Sequence, residues 1–202
     1  MTAYRIALFL HLLALMLAAG ATAVTKLAAG RRQRARTVGE ALDWHDVLTG
    51  ASKLFPVSLV IFVLTGSYML SVARIRVWST GFVVAGLAGS ALLFISGAFL
   101  GAKGKALRNV LANIANGGAD RPAPQLVPPR LVAMLPVVNT GIAISVVFDM
   151  VIKPVSVPVA LGVVAASVVV SLGGAMLGQR ASAAKGAASP GAGDRLSATR
   201  AA

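Results

Sequence analysis

Five stretches of this chain, residues 6–25, 54–73, 77–102, 131–148 and 154–179, contain no Asp, Glu, Lys or Arg. No other feature limits the fold as much. A helix that crosses a bilayer needs about 20 mostly apolar residues, because in hydrocarbon every backbone N–H and C=O must find its partner within the chain. With 57% hydrophobic residues and a mean hydropathy of +0.82 over 202 residues, the chain is too apolar for a soluble domain of its size. The expected fold is therefore all-α, a polytopic membrane protein built as a bundle of five transmembrane helices. These spans are expected at about residues 6–25, 54–73, 77–102, 131–152 and 157–178, in a single domain over residues 1–179.

Charge fixes the expected orientation. With the amino terminus outside, the inner segments carry Lys26, the Arg31–Arg36 cluster, Lys53, Lys103, Lys105, Arg108, Arg121, Arg130 and the tail, which is 15 of the 19 basic residues. Only Arg5, Arg74, Arg76 and Lys153 stay outside. The positive-inside rule thus places the amino terminus out and the carboxyl terminus in, as expected for a multi-pass protein of a bacterial inner membrane. A rival reading removes the first span as a signal peptide at Ala21-Thr22-Ala23, but it would divide the basic residues between both faces. The net charge of +13 does not point to nucleic acid. It gathers between apolar windows, where anionic headgroups are the expected partner.

The connections differ in character. After the basic cluster, Thr37-Val38-Gly39-Glu40 fits a capping box that opens a short helix, with Trp44 at headgroup level. The third span is expected to continue to about residue 115, because Leu107, Val110, Leu111 and Ile114 keep helical spacing, and to stop at Asn116-Gly117-Gly118. A Pro-rich linker follows. The connection Lys153-Pro154-Val155-Ser156-Val157-Pro158 is tight enough to make the last two spans an antiparallel hairpin. From residue 180 the tail has no apolar periodicity and is expected to be disordered.

Few residues can carry chemistry. There is no cysteine, and G-x-S-x-G, H-E-x-x-H and phosphate-loop motifs are all absent. His11 is the one histidine inside a span, on the same face as Ala18 and Thr22, and could ligate metal, move a proton or bond a neighbouring helix. His45 falls in the inner connection, so a two-histidine haem site within one subunit is not expected. Tyr68, Asp149 and Lys153 share the outer third of the membrane with His11 and Arg5, and this depth match defines the candidate polar or ligand site: His11, Tyr68, Asp149 and Lys153. Asp149 and Lys153 have the i, i+4 acid-first spacing of a helical ion pair, and Gly141 and Ser145 extend that edge inward. Gly86, Ser90, Gly97 and Gly101 form a small-residue stripe suited to close helix packing, within the monomer or in a homo-oligomer. Asn139 is expected to bond across helices, and Pro136 to kink its own.

The segments FLHLLALMLAAGATAV, KLFPVSLVIFVLTGSYML and MVIKP resemble small bacterial membrane proteins related to the CopD copper-resistance family and the HemJ-type protoporphyrinogen oxidases. The similarity covers roughly residues 6–154, as judged from expected span lengths. It implies haem b as a cofactor, with His11 in the place of the family's first-helix histidine. The family's third-helix lysine has no counterpart, since that span begins Val77-Trp78-Ser79-Thr80-Gly81-Phe82. A structural or small-ligand-binding role, a haem-dependent oxidoreductase and a small transporter or copper-resistance protein are the functions compatible with these residues.

Overall fold

The computed structural model describes residues 2–75, 79–124 and 129–187, with side chains as far as Gly178. Six helices occur among the described residues: α1 (Thr2–Gln33), α2 (Val38–Ser52), α3 (Leu54–Val72), α4 (Gly81–Ala115), α5 (Arg130–Ile152) and α6 (Val157–Ala187). Five helical segments are long and apolar enough to cross a membrane; in the second, Val38–Val72, the charges all precede α3, which is the charge-free run that can span. The chain is thus all-α and polytopic. The start of the third apolar window falls partly at residues 76–78, outside the described residues, and α4 begins at Gly81.

Two groups of helices form, and α2 joins them. In the first, α1 packs on α3. The α1 seam is a heptad of alanines, Ala7, Ala14, Ala21 and Ala28, all buried. A period of seven keeps one face on its neighbour, and the alanines allow close approach where larger residues would hold the helices apart. In the second group, α4, α5 and α6 pack on one another. Gly86 faces Met150 and Gly89 faces Val146, while Gly141 lies against Ser171 and the Ser167 carbonyl. Between the groups, packing runs through α2, which contacts α1, α3 and α4.

The end of the bundle where α2 begins is fixed by backbone pairing. Thr37 bridges Pro122, Val38 N–H donates to the Arg121 carbonyl at 2.9 Å and Gly39 N–H to the Ala119 carbonyl at 3.0 Å. Thr37 Oγ1 accepts from Glu40 N–H at 3.2 Å, while the Glu40 carboxylate accepts from Arg36 N–H at 2.9 Å. The start of α2 therefore leaves few of its free amides unsatisfied, which is the cost a helix start usually carries. Val38 and Ala41 then pack on Leu111 of α4.

Two expectations need correction. Residues 180–187 continue α6 and are not disordered. The stretch RASAAKGA has no apolar face, but it is rich in alanine, the strongest helix former; residues 188–202 lie outside the described residues. The expected Asp149–Lys153 ion pair does not form: the one salt bridge among the described residues joins Arg108 and Asp46. Lys153 is the C-cap of α5 in a left-handed conformation, φ 53° and ψ 55°, with its N–H on the Asp149 carbonyl at 2.8 Å. That turn takes its side chain off the helical row on which an i, i+4 partner must lie.

Candidate functional site

His11 is positioned by α3. Its Nδ1 lies 2.9 Å from Thr65 Oγ1, and its ring stacks on Phe62 with centroids 4.0 Å apart and planes at 23°. The Thr65 hydroxyl donates its hydrogen to the Ile61 carbonyl at 2.7 Å. Its oxygen is therefore the acceptor, and Nδ1 carries the imidazole hydrogen. Gly66 also lies beside the ring, where a Cβ would meet His11 Cε1 at 3.4 Å in ordinary contact. Tyr68 is exposed, and with Ala3, Ile6, Ala7, Leu10, Leu64 and Thr65 it lines an apolar groove of about 320 Å³ between α1 and α3.

Asp149 belongs to the other group. It is 0% exposed, and neither carboxylate oxygen has a hydrogen-bond partner. Native proteins pair nearly all such atoms, because an unsatisfied buried polar group costs about 1–3 kcal/mol, and more if charged. Deeper along the same face of α5, Ser145 Oγ lies 3.2 Å from Ser167 Oγ of α6. Further in, Asn139 Oδ1 accepts from Ser96 Oγ of α4 at 2.8 Å. Ten residues separate Asp149 from Asn139, about 15 Å of helix at the usual rise, and the two polar pairs lie on different sides of α5, Ser145 toward α6 and Asn139 toward α4.

The expected site is thus divided. His11 and Tyr68 lie on α1 and α3, whereas Asp149 lies on α5 and Lys153 caps it, and neither α1 nor α3 packs on α5. Lys153 is exposed. Depth in the membrane follows from span length, but which helices are neighbours depends on side-chain fit, and α1 packs on α3 and α2. Of the small-residue stripe, Gly86 and Ser90 are buried, while Gly97 and Gly101 are exposed and face open space, with nothing within 4 Å of where a Cβ would stand.

Sequence reasoning missed His45. It is 0% exposed, with Nδ1 3.0 Å from Arg32 Nη1 and Nε2 3.0 Å from the Gly104 carbonyl oxygen. Spacing held the signal: Val38, Ala41 and His45 form an i, i+3, i+7 row in α2, and the histidine continues its apolar face. Beside it, Arg108 binds Asp46 through two bonds of 2.6 and 3.2 Å. That guanidinium holds the Asp46 carboxyl below the usual carboxylate range.

No family model, curated protein or solved structure matches the chain. Its chemistry must be argued from the geometry. Among the described residues no three His, Cys, Asp or Glu side chains gather closely enough to hold a metal ion. That leaves two single groups, His11, held to Thr65 through Nδ1, and Asp149 with both oxygens unpaired.

Proposed function

We propose that this chain is a small-ligand-binding protein of a bacterial inner membrane, and that Asp149 is the group its ligand engages. One observation carries the reading: a carboxylate buried in a membrane bundle with both oxygens unpartnered. Ionisable groups inside membrane helices are costly and mark ligand or ion sites more often than packing. The complementary ligand brings hydrogen-bond donors or positive charge, as a protonated amine or a small cation does. One turn from Asp149, the Ser145–Ser167 hydroxyl pair offers such a ligand a further polar contact on the same face of α5. Positive-inside charge supports an outer position for Asp149, with anionic headgroups against the basic inner loops.

Thermal unfolding in the presence of ammonium, alkylamines and mono- and divalent cations tests this. A ligand that binds only the folded state stabilises it by about 2.7 kcal/mol at 100 times its Kd. At least one of these ligands is expected to raise the unfolding temperature of the wild type and to have no effect on Asp149→Asn. Equal responses from the two proteins would remove Asp149 from the site.

A second reading rests on His11 and on the resemblance to HemJ-type proteins. The Thr65 contact holds the Nδ1–H side of the ring, which leaves the Nε2 lone pair for a metal, and an anchored far nitrogen is what a ligating histidine usually has. His11 therefore fits one axial position of a haem, which would supply one-electron redox chemistry. His45 cannot fill the other, because both its nitrogens are engaged. Under this reading the purified protein shows a Soret band that His11→Ala removes, whereas a folded protein that stays colourless after reconstitution with haem would sink it.

A further inference from the structure

His45 is a buried titratable group that neither reading of function uses, and it sits where the two helix groups are joined. A guanidinium can only donate, so the Arg32 contact at 3.0 Å requires a lone pair on Nδ1. The hydrogen is then on Nε2, which donates to the Gly104 carbonyl at 3.0 Å. One neutral imidazole thus links Arg32 of α1 to Gly104 of α4. This link bridges the groups, because α1 belongs with α3 and α4 with α5 and α6.

The charges around it come from each packed element. From α1 there is Arg32, followed by Arg31, whose guanidinium lies 5.8 Å from the Trp44 ring centroid. From α4 there are Arg108 and the exposed Lys103 and Lys105 that flank Gly104. From α2 itself there is Asp46, which is committed to Arg108. The α3 sequence contains no charged residue. The setting is cationic.

We propose that His45 is a proton-operated pin: while neutral it ties α1 to α4, and a proton bound at Nδ1 releases α1, so that the α1–α3 pair moves relative to α4, α5 and α6. The incoming proton takes the Nδ1 lone pair, and the hydrogen bond from Arg32 is the one that breaks. Two cationic donors then face each other. The Nε2–H bond to Gly104 survives, so α2 stays on α4 while α1 lets go. Burial, and after it the charge of Arg32, holds the imidazolium form of His45 down. With the folded value below the ordinary histidine value of about 6.5, the pin is fully in place above that pH. It is lost as pH falls through the lower, folded value.

The chain has no cysteine, so Val72→Cys and Val155→Cys, at the exposed outer ends of the two groups, can carry spin labels on an otherwise unlabelled background. Their distance distribution in bilayers is expected to be narrow at about pH 8 and to become longer and broader at about pH 5, across the histidine range. His45→Gln keeps an acceptor for Arg32 and a donor for Gly104 but cannot be protonated in that range, so the narrow distribution should persist at both values. An unchanged wild-type distribution, or an equal shift in His45→Gln, overturns the proposal. Nitrogen-15 NMR of the protein without spin labels, which has only two histidines, gives an independent check. At neutral pH His45 must be the Nε2–H tautomer, and a protonated Nδ1 would contradict the pin.

Discussion

Leucine in place of Gly81 is expected to leave little folded protein, and alanine to cost about 3 kcal/mol, at the upper end for overpacking a tight contact. Gly81 is buried at the first position of α4, against the connection between α5 and α6. A helix start leaves its first amides without partners in the helix. Here Gly81 N–H donates to the Val155 carbonyl at 2.9 Å and Phe82 N–H to the Pro154 carbonyl at 3.0 Å. A Cβ on Gly81 would lie 2.6 Å from the Pro154 carbonyl oxygen and closer still to that of Ser156. Both are backbone atoms of a connection held between two helices, so no rotamer change relieves the clash. Gly97→Leu is the control on the same helix, because Gly97 is exposed and open; its effect should stay within about 0.5 kcal/mol. Unfolding in detergent by heat or denaturant separates the two, and a Gly81→Ala protein as stable as the wild type would contradict the contact.

The fold is legible in the sequence where composition and period decide it. The five apolar windows are a bilayer requirement written directly in residue order, and the helical spacing of Leu107, Leu111 and Ile114 anticipates the length of α4, which ends at Ala115. Helix neighbours are harder to read. In lipid nothing apolar distinguishes one helix face from another, so pairing depends on small residues such as the α1 alanines and on single polar contacts. Counting places His11 at the depth of Asp149, but its partners, Thr65 and Phe62 on α3, depend on which helix packs there. The Asp149–Lys153 pair fails for a local reason: i, i+4 pairing assumes that both residues are helical, and Lys153 has left the helix. His45 sits against Arg32 at the far end of α1 from His11, yet its row with Val38 and Ala41 marks it as an inward-facing residue in its own right.

The second large effect has the opposite sign. Asp149→Leu is expected to stabilise the protein by about 1–3 kcal/mol, the penalty released when a buried unsatisfied polar group gives way to an apolar one of the same branched shape. Few substitutions in a packed bundle stabilise it, and those that do often remove a group kept for activity. The walls suit the exchange. The register that sets Gly141 against Ser171 and Ser145 against Ser167 carries Asp149 to the level of Val164 and Ala160, both buried with Ala85. The same substitution should abolish the stabilisation given by any amine or cation that binds the wild type, so a gain in stability accompanies a loss of binding. Asp149→Asn keeps the shape without the charge, and it should lose binding with a smaller change in stability.

The central claim is that Asp149 is held in the bundle for a ligand and not for the fold. The most direct test compares the unfolding free energies of wild-type and Asp149→Leu proteins in the same lipid, without added ligand. A leucine variant more stable by about 1–3 kcal/mol is the predicted result; one less stable by a similar amount would mean that the carboxylate holds the helices together, and would contradict the account.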